Sequence, residues 1–552
     1  MFKTKRKASK SKKNQKTVAP SPPPPDKKEL LAQKRKVERV RKEAITAIAT
    51  YGGIGAAISL VMLAIVEPKL AIVSGVGVAV LALSAKYPRQ ALWIFLIYLP
   101  FAGTITYTIG GLNPSPIFQL AKDGFYVPSL IVLILQLQRQ RLPILLPAQL
   151  RTPIYLLLTT CILTLLFVNL NLQFSGAVPK EKPIPMGILG LKVFMGYIPL
   201  ITCAYHLIRN KKEFLFLTRL HVILAIICCG LGVVQYLMLS MGICRTTDNL
   251  SGADLFRASI EYKCLVGGSL VFSPSQNMIR LPGTFVAPWQ WAWFLISNCF
   301  FTFASAFGEH SLRWQIASFV GMALVFVNAV ISGQRIALAL VPLFTIILLI
   351  LTGQVTNLKR FLPIVAGLGI LILVAMAAFP DVVQGRIDSF VSRWNASPPT
   401  DFIQHQVEFT SKENRGPFGN GLGRATNSAR AFGETKLIET YYPKIFYELG
   451  IVGVAAFLLV VTVLTAVTFK TYRKLTDKSL RAYGASFWVF VLFISYNTYY
   501  YPLDVDPVAV YYWFFAGVIL KLPVIEQQEE EEKRKLAELL GESPPSLPSR
   551  SK

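Results

Sequence analysis

Two arginines, Arg280 and Arg335, stand at the ends of strongly apolar stretches, and a carboxylate, Glu439, lies near the end of the longest polar insertion in the chain. A guanidinium offers a fork of donors that matches phosphate and diphosphate oxygens, a geometry lysine does not copy. A carboxylate nearby can accept the proton of an attacking hydroxyl. These residue types suit an enzyme site that binds phosphate or diphosphate beside a general base. No histidine-rich motif accompanies them. The expectation is therefore a metal-independent reaction without a cofactor.

Arg280 opens Arg280-Leu-Pro-Gly-Thr-Phe285, which is followed by Pro288 and the tryptophans Trp289, Trp291 and Trp293. Pro and Gly break the chain where an apolar span begins, and tryptophans suit a water–lipid boundary. An ordinary helix entrance with an interfacial cation would read the same way. Arg335 closes Ser332-Gly-Gln-Arg335 between two apolar helices, on the face that the positive-inside rule disfavours. The insertion itself, residues 380–442, carries Gly419-Asn-Gly-Leu-Gly423 and then Glu439-Thr-Tyr-Tyr442. Gly421 and Gly423 permit tight turns and close approach of a substrate. Tyr442 is a further candidate for substrate contact. Glu448, nine residues after Glu439, would stand about 13–14 Å from it along a helix, too far for a paired acid/base couple. Glu439 is the better base; Glu448 lies deeper, where it would orient neighbours or cap a turn. His405 reads as an exposed loop histidine. Lys122-Asp123, at the entrance of another span, offers a phosphate or sugar contact or a helix-end ion pair.

What must position these residues is a set of membrane helices. Mean hydropathy is +0.48, 53% of the 552 residues are hydrophobic and 16% are charged. Continuous apolar runs without two-residue alternation are long enough to cross the bilayer as helices. The expectation is an all-α polytopic membrane protein of about 14 spans (12–14): 47–66, 69–85, 91–110, 124–138, 153–170, 185–207, 216–241, 287–306, 313–331, 335–353, 360–379, 443–469, 482–500 and 508–522. Both termini fall in the cytoplasm. Residues 242–286 and the large loop 380–442, which precedes the last three helices, fall outside. That assignment puts nearly every short basic cluster on the cytoplasmic side.

Net charge is +27, but residues 1–45 hold 16 basic against 4 acidic residues and the remainder sits in short loops. That distribution fits topology and lipid contact rather than nucleic acid. Residues 1–45 read as a disordered basic, Pro-rich tail, 46–522 as the membrane domain and 523–552 as a cytoplasmic tail. Loop 380–442 has seven basic and seven acidic residues, so anion binding there needs placed arginines. Cys244 and Cys264 share one polar outer loop and form a disulfide candidate; the other five cysteines lie in apolar spans.

Arg-x-x-Gly-Thr-Phe at 280–285, Ser-Gly-Gln-Arg at 332–335, Gly-x-Gly-x-Gly at 419–423 and Glu-x-Gly-x-x-Gly at 448–453 together resemble the O-antigen ligase and polymerase superfamily. The resemblance covers roughly residues 90–520. It implies transfer of a glycan from a polyprenyl-diphosphate carrier, usually undecaprenyl, to a hydroxyl of a glycan, lipid or protein acceptor at the periplasmic face of the inner membrane. Arg280 and Arg335 would then bind the carrier diphosphate, and loop 380–442 would cover the site. Lipopolysaccharide ligases of this family generally present a histidine where this chain has Glu439, which is closer to polymerase-like members. A single displacement would invert the anomeric centre. The competing reading is a lipid-linked oligosaccharide flippase or other polysaccharide transporter, which should show pseudo-repeated halves and charges lining the bundle centre.

Overall fold

The computed structural model describes residues 27–110, 121–144, 147–175, 178–245, 263–268, 270–273, 278–353, 377, 380–396 and 398–540. The chain divides into two compact units after Ala79. The first holds α1 (Lys27–Met62) and most of α2 (Pro68–Lys86). Gly55 and Gly75 face each other there with no room for a Cβ on either, the small-residue contact that lets two membrane helices approach closely.

The second unit is a helical bundle. Its first half comprises α3 (Pro88–Tyr98), α4 (Ala102–Gly110), α5 (Asp123–Arg139), α6 (Arg151–Thr164), α7 (Leu170–Phe174), α8 (Pro183–Met195), α9 (Leu200–Leu207) and α10 (Lys211–Ser240). Then come α11 (Pro288–Gly308), α12 (Leu312–Ile331), α13 (Arg335–Leu351), α14 (Pro380–Ala396), α15 (Pro399–Glu413), α16 (Tyr441–Arg473), α17 (Lys478–Tyr496) and α18 (Val508–Leu540). Helix α11 forms the centre, with nearly every side chain buried against α10, α12, α13 and α17. Helices α16 and α18 pack on α6 and α9.

Among the described residues, ten helices are long and apolar enough to cross a membrane, or eleven if the bent pair α8–α9 is one span. This is a multi-pass membrane protein. Of the other spans expected from sequence, α5 and α13 are 17-residue helices, at the lower end of the length that crosses a bilayer, and 360–379 falls almost wholly outside the described residues. The fold also departs from all-α at one place. Val271–Ser273 (β1) pairs antiparallel with Met278–Arg280 (β2), so Arg280 ends a strand opposite Val271. The same loop is stapled: Cys244 and Cys264 form a disulfide with Cα atoms 5.5 Å apart. Buried Gln235 of α10 holds it from below, donating to the Cys264 and Val266 carbonyls at 2.9 and 2.8 Å.

Candidate functional site

The glycine loop owes its shape to a carboxylate. Helix α16 is interrupted at Gly450, whose φ of 67° and ψ of −167° are open only to glycine. Pro417 fills the notch, and a Cβ at Gly419 would sit 2.7 Å from backbone atoms of Tyr447, Glu448 and Gly450. Just before the notch, the fully buried Glu448 turns its carboxylate into the loop. It accepts Gly423 N–H at 3.1 Å, Ala425 N–H at 2.6 Å and the Thr426 hydroxyl at 3.0 Å. From the other side, Asn169 ends a π-helical turn, Leu165–Asn169, between α6 and α7. Its Nδ2 donates to the Pro183 and Leu422 carbonyls at 2.8 and 2.9 Å, and its Oδ1 accepts Leu422 N–H at 2.9 Å.

Every backbone N–H from Gly419 to Arg424 thus has a partner inside the fold, as does that of Ala425. Gly421 and Gly423 adopt φ of 108° and 84° so that the loop can lie on α8, where Gly190 meets Gly423 backbone to backbone. Their role in this geometry is close packing. They do not offer a substrate an array of spare amides.

The loop continues as Thr426, Asn427 and Ser428 into the wall of a cavity of about 330 Å³. Phe285 and Gln290, from the entrance of α11, form a second wall, and Tyr501 to Asp506, between α17 and α18, a third. Lys122 and Lys192 enter from α5 and α8. Lys122 pairs with Asp506, and Lys192 with Asp123. Burial pushes the Lys122 ammonium down to about 8, with Asp123 opposing and Lys192 adding to the fall. Asp504 is held from behind by Lys444, a pair almost sealed from solvent. Tyr500 and Tyr501 both take left-handed backbone conformations, φ 57° and 33°, which side-chain-bearing residues adopt only when their surroundings insist. The Trp293 indole, donating to the Tyr500 carbonyl at 3.3 Å, is one such restraint.

Of the site residues expected from sequence, Lys122 is in the lining of this cavity, and Arg280, Arg335, Gly421, Gly423, Glu439 and Tyr442 are not. Lys122 lines it, although its partner is Asp506 rather than the adjacent Asp123. Arg280 and Arg335 are both half-buried, and their segments are joined by Leu281 N–H to the Ser332 carbonyl at 3.0 Å. Glu439 is half-buried and outside the lining, within electrostatic reach of Tyr501 on the cavity wall. Burial, then the Glu439 and Asp504 carboxylates, push that phenol up, and a hydrogen bond with Asn427 opposes them. The Glu439 backbone N–H donates to Gln406 Oε1 of α15 at 3.1 Å. Tyr442 is turned away, its hydroxyl donating to the Ser495 carbonyl so that α16 is tied to α17. Sequence reading missed Lys192, Asp504, Asp506 and Gln290. Lys192 gave a signal, a charge inside an apolar run, which in a membrane helix calls for a partner.

No protein-family model and no curated protein sequence matches the chain.

Proposed function

We propose that the chain transfers a glycan from a polyprenyl-diphosphate carrier to an acceptor hydroxyl, at the end of the bundle where the cavity opens and on the extracytoplasmic face of the membrane. One observation carries this reading. Phe285, at the end of the Arg280 turn, Thr426–Ser428, which continue the glycine loop, and Tyr501, on which the Glu439 carboxylate acts, line a single cavity, although Arg280, Arg335 and Glu439 themselves do not. In the reaction the acceptor oxygen attacks the anomeric carbon as the carbon–oxygen bond to the diphosphate breaks. The acceptor proton passes to Glu439, and Arg280 and Arg335 stabilise the leaving diphosphate. One displacement inverts the anomeric centre.

The test is transfer by purified protein from a polyprenyl-diphosphate oligosaccharide, in EDTA, with Arg335→Ala and Glu439→Gln beside wild type. Transfer that survives EDTA and collapses in both variants supports the mechanism. Loss in Arg335→Ala alone removes Glu439 as base. Carrier movement across liposomes without transfer would replace the enzyme by a flippase.

A further inference from the structure

Beside the polar cavity lies a second one of about 360 Å³ with a different lining. It runs between α5 and α8 and is walled by Val127, Leu130, Ile188, Leu191 and Met195. Val127 and Ile188 are 41% and 54% exposed, so large apolar side chains of this groove face outward where a membrane helix meets lipid chains. The two cavities share Lys192 and Tyr197. A chamber whose wall mixes apolar residues with charged and amide side chains, and a nearly wholly apolar groove, meeting at one ion-paired side chain, are complementary to an amphiphile.

The polar chamber also restricts the head group. Its two lysines already hold aspartates, so a phosphate there would be set against Asp123 and Asp506. Among the described residues, the buried side-chain atoms around the two cavities that lack a protein partner are acceptors: Asp506 Oδ1, Gln290 Oε1 and, on the groove side, Asp123 Oδ1. Buried acceptors need donors, which a phosphate diester lacks and a sugar supplies around its ring. Trp289, 39% exposed, and Tyr98 add aromatic surface for the apolar faces of that ring. The volume lies within the range of about 300–1,000 Å³ usual for small-ligand pockets.

We infer that the two cavities form one site for a glycolipid whose sugar is joined to its chain without a phosphate, the sugar in the polar chamber and the chain along α5 and α8. In the transfer reaction this lipid is the acceptor. That role rests on the proposed function, whereas occupancy of the site does not.

The experiment uses the full chain in phosphatidylcholine nanodiscs and glucosyl diacylglycerol with a diazirine in its acyl chain. Photolabelling is expected at residues 127–130 and 188–195, displaced by unlabelled glucosyl diacylglycerol and not by phosphatidylglycerol. Ile188→Trp, which fills the groove, should abolish it, and Gln290→Leu should weaken binding roughly three- to tenfold, the worth of one neutral hydrogen bond. Labelling elsewhere in the wild type, or equal displacement by phosphatidylglycerol, overturns the inference without appeal to any variant. A parallel transfer assay separates it from the enzymatic reading. Groove labelling with no transfer to any acceptor leaves the lipid site standing and removes the reaction. Glycan transfer by a protein whose groove is not labelled does the reverse.

Discussion

Replacing Glu448 by glutamine should release the glycine loop while leaving the bundle folded. All three of its partners, Gly423 N–H, Ala425 N–H and the Thr426 hydroxyl, are donors, so both carboxylate oxygens act as acceptors. Glutamine keeps one acceptor oxygen for the pair at Oε1 and turns an NH₂ toward Gly423, donor against donor. One charge-assisted bond is lost and one buried amide is stranded, which together amount to about 2–4 kcal/mol. Hydrogen exchange at the amides of Gly423 and Ala425 reads that local opening directly, and the same energy becomes roughly 30- to 900-fold faster exchange. Because Thr426 lines the cavity, the proposed glycan transfer should fall as well. Unchanged exchange over residues 419–425 in a folded Glu448→Gln protein would refute the claim that this carboxylate shapes the loop.

Gly423→Ala should cost more than about 3 kcal/mol, because the new Cβ meets the Met186 carbonyl at a positive φ, and loss of monodisperse protein after extraction checks it. Lys444→Met strands a buried Asp504 at about 3–5 kcal/mol, and the double variant Lys444→Met/Asp504→Asn should recover most of that in thermal unfolding. Reducing the Cys244–Cys264 bond, which spans 20 residues, should lower stability by about 3 kcal/mol in denaturant titration; an unchanged midpoint contradicts a structural role. With Lys122 lowered to about 8 in the fold from 10.5, the unfolded chain binds more protons between those values, so stability rises across pH 8–10. Lys122→Met should flatten that slope, and an identical slope in both proteins rejects the assignment.

The membrane helices were legible because an apolar run of the right length has few alternatives in a bilayer. Bends were not: 185–207 reads as one apolar run, yet it folds as α8 and α9, 42° apart. The glycines at 419–423 announced a tight turn, but nothing local could reveal that the turn lies on Gly190 of a distant helix. For Lys122, chain adjacency to Asp123 suggested the wrong partner. Consecutive residues at a helix start point in different directions, whereas Asp506, far along the chain, is brought opposite by tertiary packing. Arg280 and Arg335 could be recognised by type, and it is the folded chain, through the hydrogen bond from Leu281 to Ser332, that shows their segments to be neighbours.

The interruption at Gly450 also uncouples two kinds of change. In a continuous helix, inserting one residue turns everything beyond it by about 100°. Here the turn before Gly450, with Lys444 and Glu448, is fastened to Asp504 and to the glycine loop, while the length after it is fastened to neighbouring spans. The lipid-embedded half can therefore drift in length or rotation to match a thinner or thicker bilayer without swinging Glu448 off its three donors. The notch acts as a register break that lets the membrane part and the cavity part of one helix vary under separate constraints.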